Sequence, residues 1–369
     1  YHIKVWNRIA LAVALWLAIA LMAACAQPPA EPGAAPEAGS QPSEPGSLAV
    51  LEWAGYESPE FWTQFAEAHP DVEVENTFFE QEPDAFAKVQ SGFPVDIIHP
   101  CVSWWGFYVE EGLVQPIDTS RLKNWPDLEP KIAKLGEFDG RQYFIPWDWG
   151  YESIVVRTDK VDKIPTSWAD LWDPAYAGRL AVPDNAEMSQ VMAAVALGVP
   201  NPWDTTPEED ELIKQKLLEI KPNVLTYWAD ATELAQMMAS GDVWVAAGVW
   251  TATYQQLLSD GIPVEYINPT EGRAGWVCGY GITANAESPD LALEYIDARL
   301  DAESSANLSN EYYYGTSNSK SIEMIDPEVV KLFDMDKPEV LDQTAFYRSM
   351  TAEHRQKVIE MWDEVRLSP

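Results

Sequence analysis

Between Tyr143 and Val156 the chain reads Tyr-Phe-Ile-Pro-Trp-Asp-Trp-Gly-Tyr-Glu-Ser-Ile-Val-Val, which sets Trp147, Trp149 and Tyr151 around one carboxylate, Asp148, and one glycine, Gly150. Aromatic faces beside an acid are the ingredients of a cation site, because a ring quadrupole and a carboxylate both attract an amine. Trp147 and Asp148 are therefore the first candidates for holding a small cation. Other chemistries find less support. His69, His99 and His354 stand in no HExxH motif and beside no GxSxG elbow. Cys101 and Cys278 form no CxxC motif and no cysteine/histidine cluster, so neither zinc nor any other cofactor is expected. In a chain with 59 acidic residues a carboxylate pair able to hydrolyse a glycoside could arise, which makes an exported hydrolase the alternative function.

The elements that must position these residues follow from periodicity and punctuation. The opening stretch is expected to turn at Gly150 and end as an apolar strand. Ahead of it, Leu48–Trp53 reads as a strand, Ser58-Pro59 opens a helix, Asp71–Glu75 alternates as a strand, Asp84–Ser91 forms a helix, and residues 94–98 form a buried strand. Strands alternating with helices imply a parallel sheet, whose ligands bind at the carboxyl ends of its strands. The loops 53–56 and 100–105 thereby become binding candidates, the second bringing Ser103 and Trp104. Downstream come a helix from Thr166 or Ser167 to Trp172, a strand 176–182, a capping box at Thr206-Pro-Glu-Glu209 opening a helix to about Ile220, and a helix over 231–240. Strands at 242–250, 264–268 and 276–282 follow, then a helix from Ser288-Pro289 to Leu300.

The chain has 369 residues, more than one ordinary core supports, and a formal net charge of -35. Such an acidic surface makes nucleic acid an unexpected partner. His2, Lys4 and Arg8 precede an apolar run from Ile9 to Met22, so residues 1–24 read as a secretion signal. Leu21-Met-Ala-Ala-Cys25 resembles a bacterial lipobox, which would make Cys25 the lipidated anchor on the outer face of the cytoplasmic membrane. Residues 25–47, rich in Pro, Ala, Gly and Ser, would then be a flexible tether. Beyond them, Cys101 and Cys278 are either a disulfide or two buried thiols.

Several segments taken together resemble the spermidine/putrescine-binding proteins of bacterial ABC importers, within the type II periplasmic-binding-protein class. They are Glu52-Trp-x-x-Tyr56, Glu111-Gly-Leu-Val-Gln115 with Ile117-Asp118, Ile145-Pro-x-x-Trp-Gly150, Thr166–Trp172, Tyr176-x-Gly178, Gly272-x-x-x-Trp276 and Tyr314-x-Thr-x-Asn318. The resemblance implies an α/β fold of two lobes with a ligand cleft between them. Lobe 1 would comprise 48–152 and 277–322, and lobe 2 would comprise 153–276 and 323–369. It implies a receptor without catalysis that hands its ligand to a membrane permease, with binding rings at Trp53, Tyr56, Trp250, Trp276 and Tyr314.

The acids depart from that pattern. Three positions where polyamine binders carry carboxylates hold Gly55, Met188 and Cys278, and a fourth holds Asn185. Asp148 is expected to be the main ligand acid, with Asp184, Glu187 and Asp230 as helpers, although Asp230 also reads as a helix N-cap. One firm acid fits a smaller cationic amine better than spermidine. Should Arg348 face the cleft, an amino-carboxylate or aminophosphonate zwitterion would also fit.

Overall fold

The computed structural model of the protein describes residues 46–368, so the signal, Cys25 and nearly all of the tether lie outside the described residues. The chain enters as β1 (Ser47–Trp53), then α1 (Thr63–Ala68), β2 (Glu73–Phe79), α2 (Glu82–Gln90), β3 (Ile97–Ile98) and α3 (Val102–Glu110). β1 pairs in parallel with β2 on one side and β3 on the other, as expected of alternating strands and helices. A short helix α4 (Pro130–Ala133) and the hairpin β4 (Glu137–Phe138) to β5 (Arg141–Gln142) lead to β6 (Ile145–Arg157), a strand of 13 residues.

β6 corrects the expectation of a turn at Gly150. The strand runs straight through that glycine, which is not among the residues with positive φ. Its missing side chain serves a close approach instead: an added Cβ would lie 2.5 Å from the Trp276 ring.

The second half contributes β7 (Leu180–Pro183), α5 (Ala186–Leu197), α6 (Pro207–Glu219), β8 (Val224–Trp228), α7 (Ala231–Ser240), β9 (Val245–Trp250), α8 (Thr251–Ser259), β10 (Val264–Tyr266) and β11 (Ala274–Ile282). The capping box at Thr206 and Glu209 opens α6 as its sequence implies, and Pro207 stands in its first turn. The region expected to be a helix around Thr166–Trp172 is a single 3-10 turn over Trp168–Trp172, begun by a capping box at Ser167 and Asp170 and stopped by Asp173-Pro174. Then follow α9 (Pro289–Arg299), α10 (Ala302–Tyr312), β12 (Gly315–Thr316), α11 (Pro327–Phe333), α12 (Pro338–Gln343), β13 (Ala345–Phe346) and α13 (Ala352–Leu367).

The main sheet runs in the order β2-β1-β3-β11-β6-β9-β7-β8. One wing, β2-β1-β3, and the other, β9-β7-β8, are each parallel inside, and the antiparallel pair β11–β6 joins them. β6 and β11 are thus shared by both wings. Two separate apolar clusters lie along the sheet, one around Leu48, Phe65 and Tyr295, the other spanning Trp105, Trp149, Val155 and Leu234. Cys101 and Cys278 are joined by a disulfide, which ties the N-cap of α3 to the crossing strand β11.

Candidate functional site

Side chains alternate along a strand, so Asp148, Gly150 and Glu152 share one face of β6. The register places Cys278, Trp276 and Ala274 of β11 directly opposite these three. The Trp276 ring lies over Gly150, and Tyr314 packs edge-on against it at 4.9 Å between centroids. The floor formed by the two crossing strands therefore carries an acid, a ring and a second acid in a row.

The first acid is closed in. Asp148 is 1% exposed; its Oδ2 accepts from the Tyr56 hydroxyl at 2.9 Å and its Oδ1 lies 3.1 Å from His99 Nε2. The other ring nitrogen of His99 meets Glu52 at 2.6 Å, and Glu52 accepts from the Tyr280 hydroxyl at 2.9 Å and lies 3.5 Å from Arg299. Arg299 in turn donates to the Tyr56 carbonyl at 2.7 Å and sits 4.8 Å from the Trp147 ring. Burial alone would lower the His99 pKa, but the Glu52 and Asp148 carboxylates outweigh it and hold it up at about 9. Two carboxylates thus meet two cations in a dry, neutral cluster at the Asp148 end of the floor, the arrangement in which buried charges are tolerated. Trp147 is fully buried within it.

The second acid is only partly buried. Glu152 accepts from Trp250 Nε1 at 2.9 Å and from the Tyr347 hydroxyl. Trp250, at the end of β9, is 40% exposed. Nearby, Glu187 in the first turn of α5 lies 3.4 Å from Arg355 of α13, which also donates to the Ser103 carbonyl at 2.9 Å. The Arg355 guanidinium covers Trp104 at 5.0 Å and Phe107 at 5.4 Å. Glu82, at the start of α2, accepts from the Cys101 amide at 2.7 Å. Three buried atoms without partners lie here, Glu82 Oε2, Glu187 Oε1 and Arg355 Nε. Burial pushes Glu82 up to about 8 and Glu152 to about 7, and the Glu187 charge pushes both the same way.

The remaining candidates separate into those at this floor and those elsewhere. Trp53 ends β1, tilts against Phe79 and donates its Nε1 to the His99 carbonyl at 2.8 Å. Asn185 and Asp230 are helix N-caps, accepting from the Met188 and Glu233 amides at 2.9 and 2.7 Å. Asp184 is held by Trp362 and Arg366. Arg348 is exposed and repels Lys131, whereas Arg355 is the arginine that pairs with Glu187.

The three lost acid positions are sealed. Gly55 has φ +102° with the Tyr312 hydroxyl 2.8 Å from where its Cβ would stand, Met188 is buried and receives the Tyr347 hydroxyl at 3.0 Å, and Cys278 is bridged. Sequence reasoning missed Glu82, Glu152, His99 and Arg355 as site residues. For Glu152 a signal existed: an acid inside a strand whose other residues are buried.

The model of the bacterial extracellular solute-binding protein family matches residues 60–336. The spermidine/putrescine-binding periplasmic protein of Salmonella typhimurium is 29% identical over 290 residues, covering 78% of this chain and 82% of that protein. The putrescine/cadaverine-binding protein of Pseudomonas aeruginosa is 24% identical over 87% of this chain and 93% of its own. Among solved structures, the spermidine/putrescine ABC transporter substrate-binding protein of Streptococcus pneumoniae aligns with a TM-score of 0.76 at 23% identity, over 87% of this chain and 98% of that one. The two-winged sheet is thus the periplasmic-binding-protein architecture that the segments of the sequence imply. With the family model running from the first helical turn to beyond β12, which pairs with the crossing strand β6, and the rings and acids gathered where the wings join, the chain belongs to the bacterial extracellular solute-binding proteins.

Proposed function

We propose that this protein is the extracytoplasmic receptor of an ABC importer for a small cationic or zwitterionic amine, which it delivers to a membrane permease. The observation that carries this reading is the floor of the crossing strands, where Trp276 lies between Asp148 and Glu152 with Trp250 and Tyr314 beside it. Rings and carboxylates in alternation suit an ammonium group and repel an anion. Lobes 48–152 with 277–322 and 153–276 with 323–369 would close on the ligand, Trp53, Tyr56 and Tyr314 coming from one side and Trp250 from the other. Cys25 would anchor the receptor to the membrane through lipid. The relatives named above are polyamine-binding proteins by name, and the Streptococcus pneumoniae protein is an ABC transporter substrate-binding protein by title, which favours this reading over an exported hydrolase.

A ligand that binds only the native state raises its melting temperature. A thermal-shift screen of putrescine, cadaverine, agmatine, glycine betaine, amino acids and aminophosphonates tests the reading. Stabilisation by one or more amines is expected. Stabilisation by none of them would refute it.

A further inference from the structure

We propose that Glu152 is the carboxylate that receives the ligand's ammonium group, with the Trp250 and Trp276 rings as its walls. This rests on the amine-receptor reading above.

The two acids on the β6 face differ in what already satisfies them. Asp148 has His99 and Tyr56 on its two oxygens and almost no exposed surface. Glu152 has a donor on each oxygen as well, but both donors, the Trp250 indole and the Tyr347 hydroxyl, are neutral. Neutral donors orient a carboxylate and leave its charge in place, and each oxygen keeps a second lone pair for another donor. Among the described residues no lysine, arginine or histidine forms an ion pair with Glu152. The charged neighbour it does have, Glu187 across from α5, is negative and is met by Arg355. Tyr266 from β10 and Tyr347 complete the titratable surroundings, and neither supplies a positive charge. A recessed carboxylate with no counter-ion is costly unless a cation arrives from outside.

The rings fit that role. Trp250 is fixed by its bond to Glu152 while 40% of it remains exposed. Trp276 approaches on the same floor, over Gly150. A primary alkylammonium has N–H donors for the free lone pairs of Glu152 and a charge for the ring faces. In the unliganded protein burial holds the Glu152 pKa at about 7, so an arriving ammonium displaces a proton from part of the population near neutrality.

The test is calorimetric titration of the full chain with putrescine, agmatine and glycine betaine, comparing wild type with Glu152→Gln and Glu152→Asp. At pH 7.5 Glu152→Gln should weaken the primary amines by about 10- to 100-fold, the usual effect of losing a charge-assisted hydrogen bond, while Glu152→Asp retains part of the affinity. At pH 6.5, titrations in buffers of different ionisation enthalpy should show proton release on binding to wild type and less release with Glu152→Gln. Equal urea midpoints of wild type and Glu152→Gln at pH 5, where Glu152 is protonated, show that the variant is folded. An amine that binds wild type and Glu152→Gln with the same affinity and the same proton release overturns this inference and leaves the amine-receptor reading standing. Failure of every amine to bind wild type overturns both.

Discussion

Unliganded, this protein should lose stability as the pH rises from 5 to 8. Glu82 and Glu152 are carboxyls whose folded pKa values are raised, to about 8 and about 7, and His99 is raised to about 9. All three bind their protons more tightly folded than unfolded, so their contributions are fully present below the unfolded pKa and are lost as pH passes the folded value. Linkage assigns roughly 3 kcal/mol of loss between pH 5 and 8 to Glu82 and roughly 2 kcal/mol each to Glu152 and His99. The lowered carboxyls Asp118, Asp159 and Glu353 act with the opposite sign, but only where their unfolded forms protonate, below this window. With a urea m-value of about 3 kcal/mol/M, the unfolding midpoint should fall by about 2 M over the range. Urea melts at pH 5.0, 6.5 and 8.0 read this directly, and Glu152→Gln should remove its share of the slope. A midpoint that stays constant or rises with pH would refute the reasoning, because it would mean that these groups ionise freely in the folded state.

Asp148→Asn should destabilise the protein by about 3–5 kcal/mol in urea unfolding at pH 7, because it leaves His99 and Arg299 facing a single carboxylate in a dry cluster. Gly150→Ala drives a methyl group to 2.5 Å from the Trp276 ring and should cost about 1–3 kcal/mol while shifting tryptophan fluorescence. Reducing the Cys101–Cys278 disulfide opens a cross-link spanning 177 residues and should cost about 3–5 kcal/mol, seen as a lower melting temperature in dithiothreitol.

The alternation of strands and helices, the capping box of α6 and the rings at strand ends were legible in the sequence because each depends on local pattern. The 3-10 turn at Trp168–Trp172 was not, since Asp173-Pro174 ends it before a helical period can develop. Gly150 misled for a tertiary reason. Glycine marks turns in sequence, but here it makes room for a ring supplied from position 276. Asp148 drew attention because it stands among rings, yet what decides its availability is His99, 49 positions earlier. Glu52 and Glu152 carried the better signal, an acid within an otherwise buried strand, which requires either a buried partner or a ligand. Glu52 has the partner, in His99 and Arg299. Arg355 could not be found at all, because only the packing of α13 on α5 brings it to Trp104.

The placement of Glu152 also bears on how binding and closure are linked. A ligand shifts a conformational equilibrium only by its differential affinity for the two states, so its contacts must include groups whose separation changes on closure. An acid at the tip of one wing would hold a ligand without sensing the other. Glu152 lies on β6, paired to β11 toward one wing and to β9 toward the other, and its two donors arrive from β9 and from the segment after β13. Arg355 spans the same gap, bonded to Glu187 of α5 on one side and to the Ser103 carbonyl of α3 on the other. On the proposal above, an ammonium at Glu152 would offset the negative charge of Glu187, which raises the Glu152 pKa from α5. Closure would then be favoured because the cation stands beside the point where Arg355 joins Glu187 on one wing to Ser103 on the other, in addition to whatever contacts the ligand itself makes.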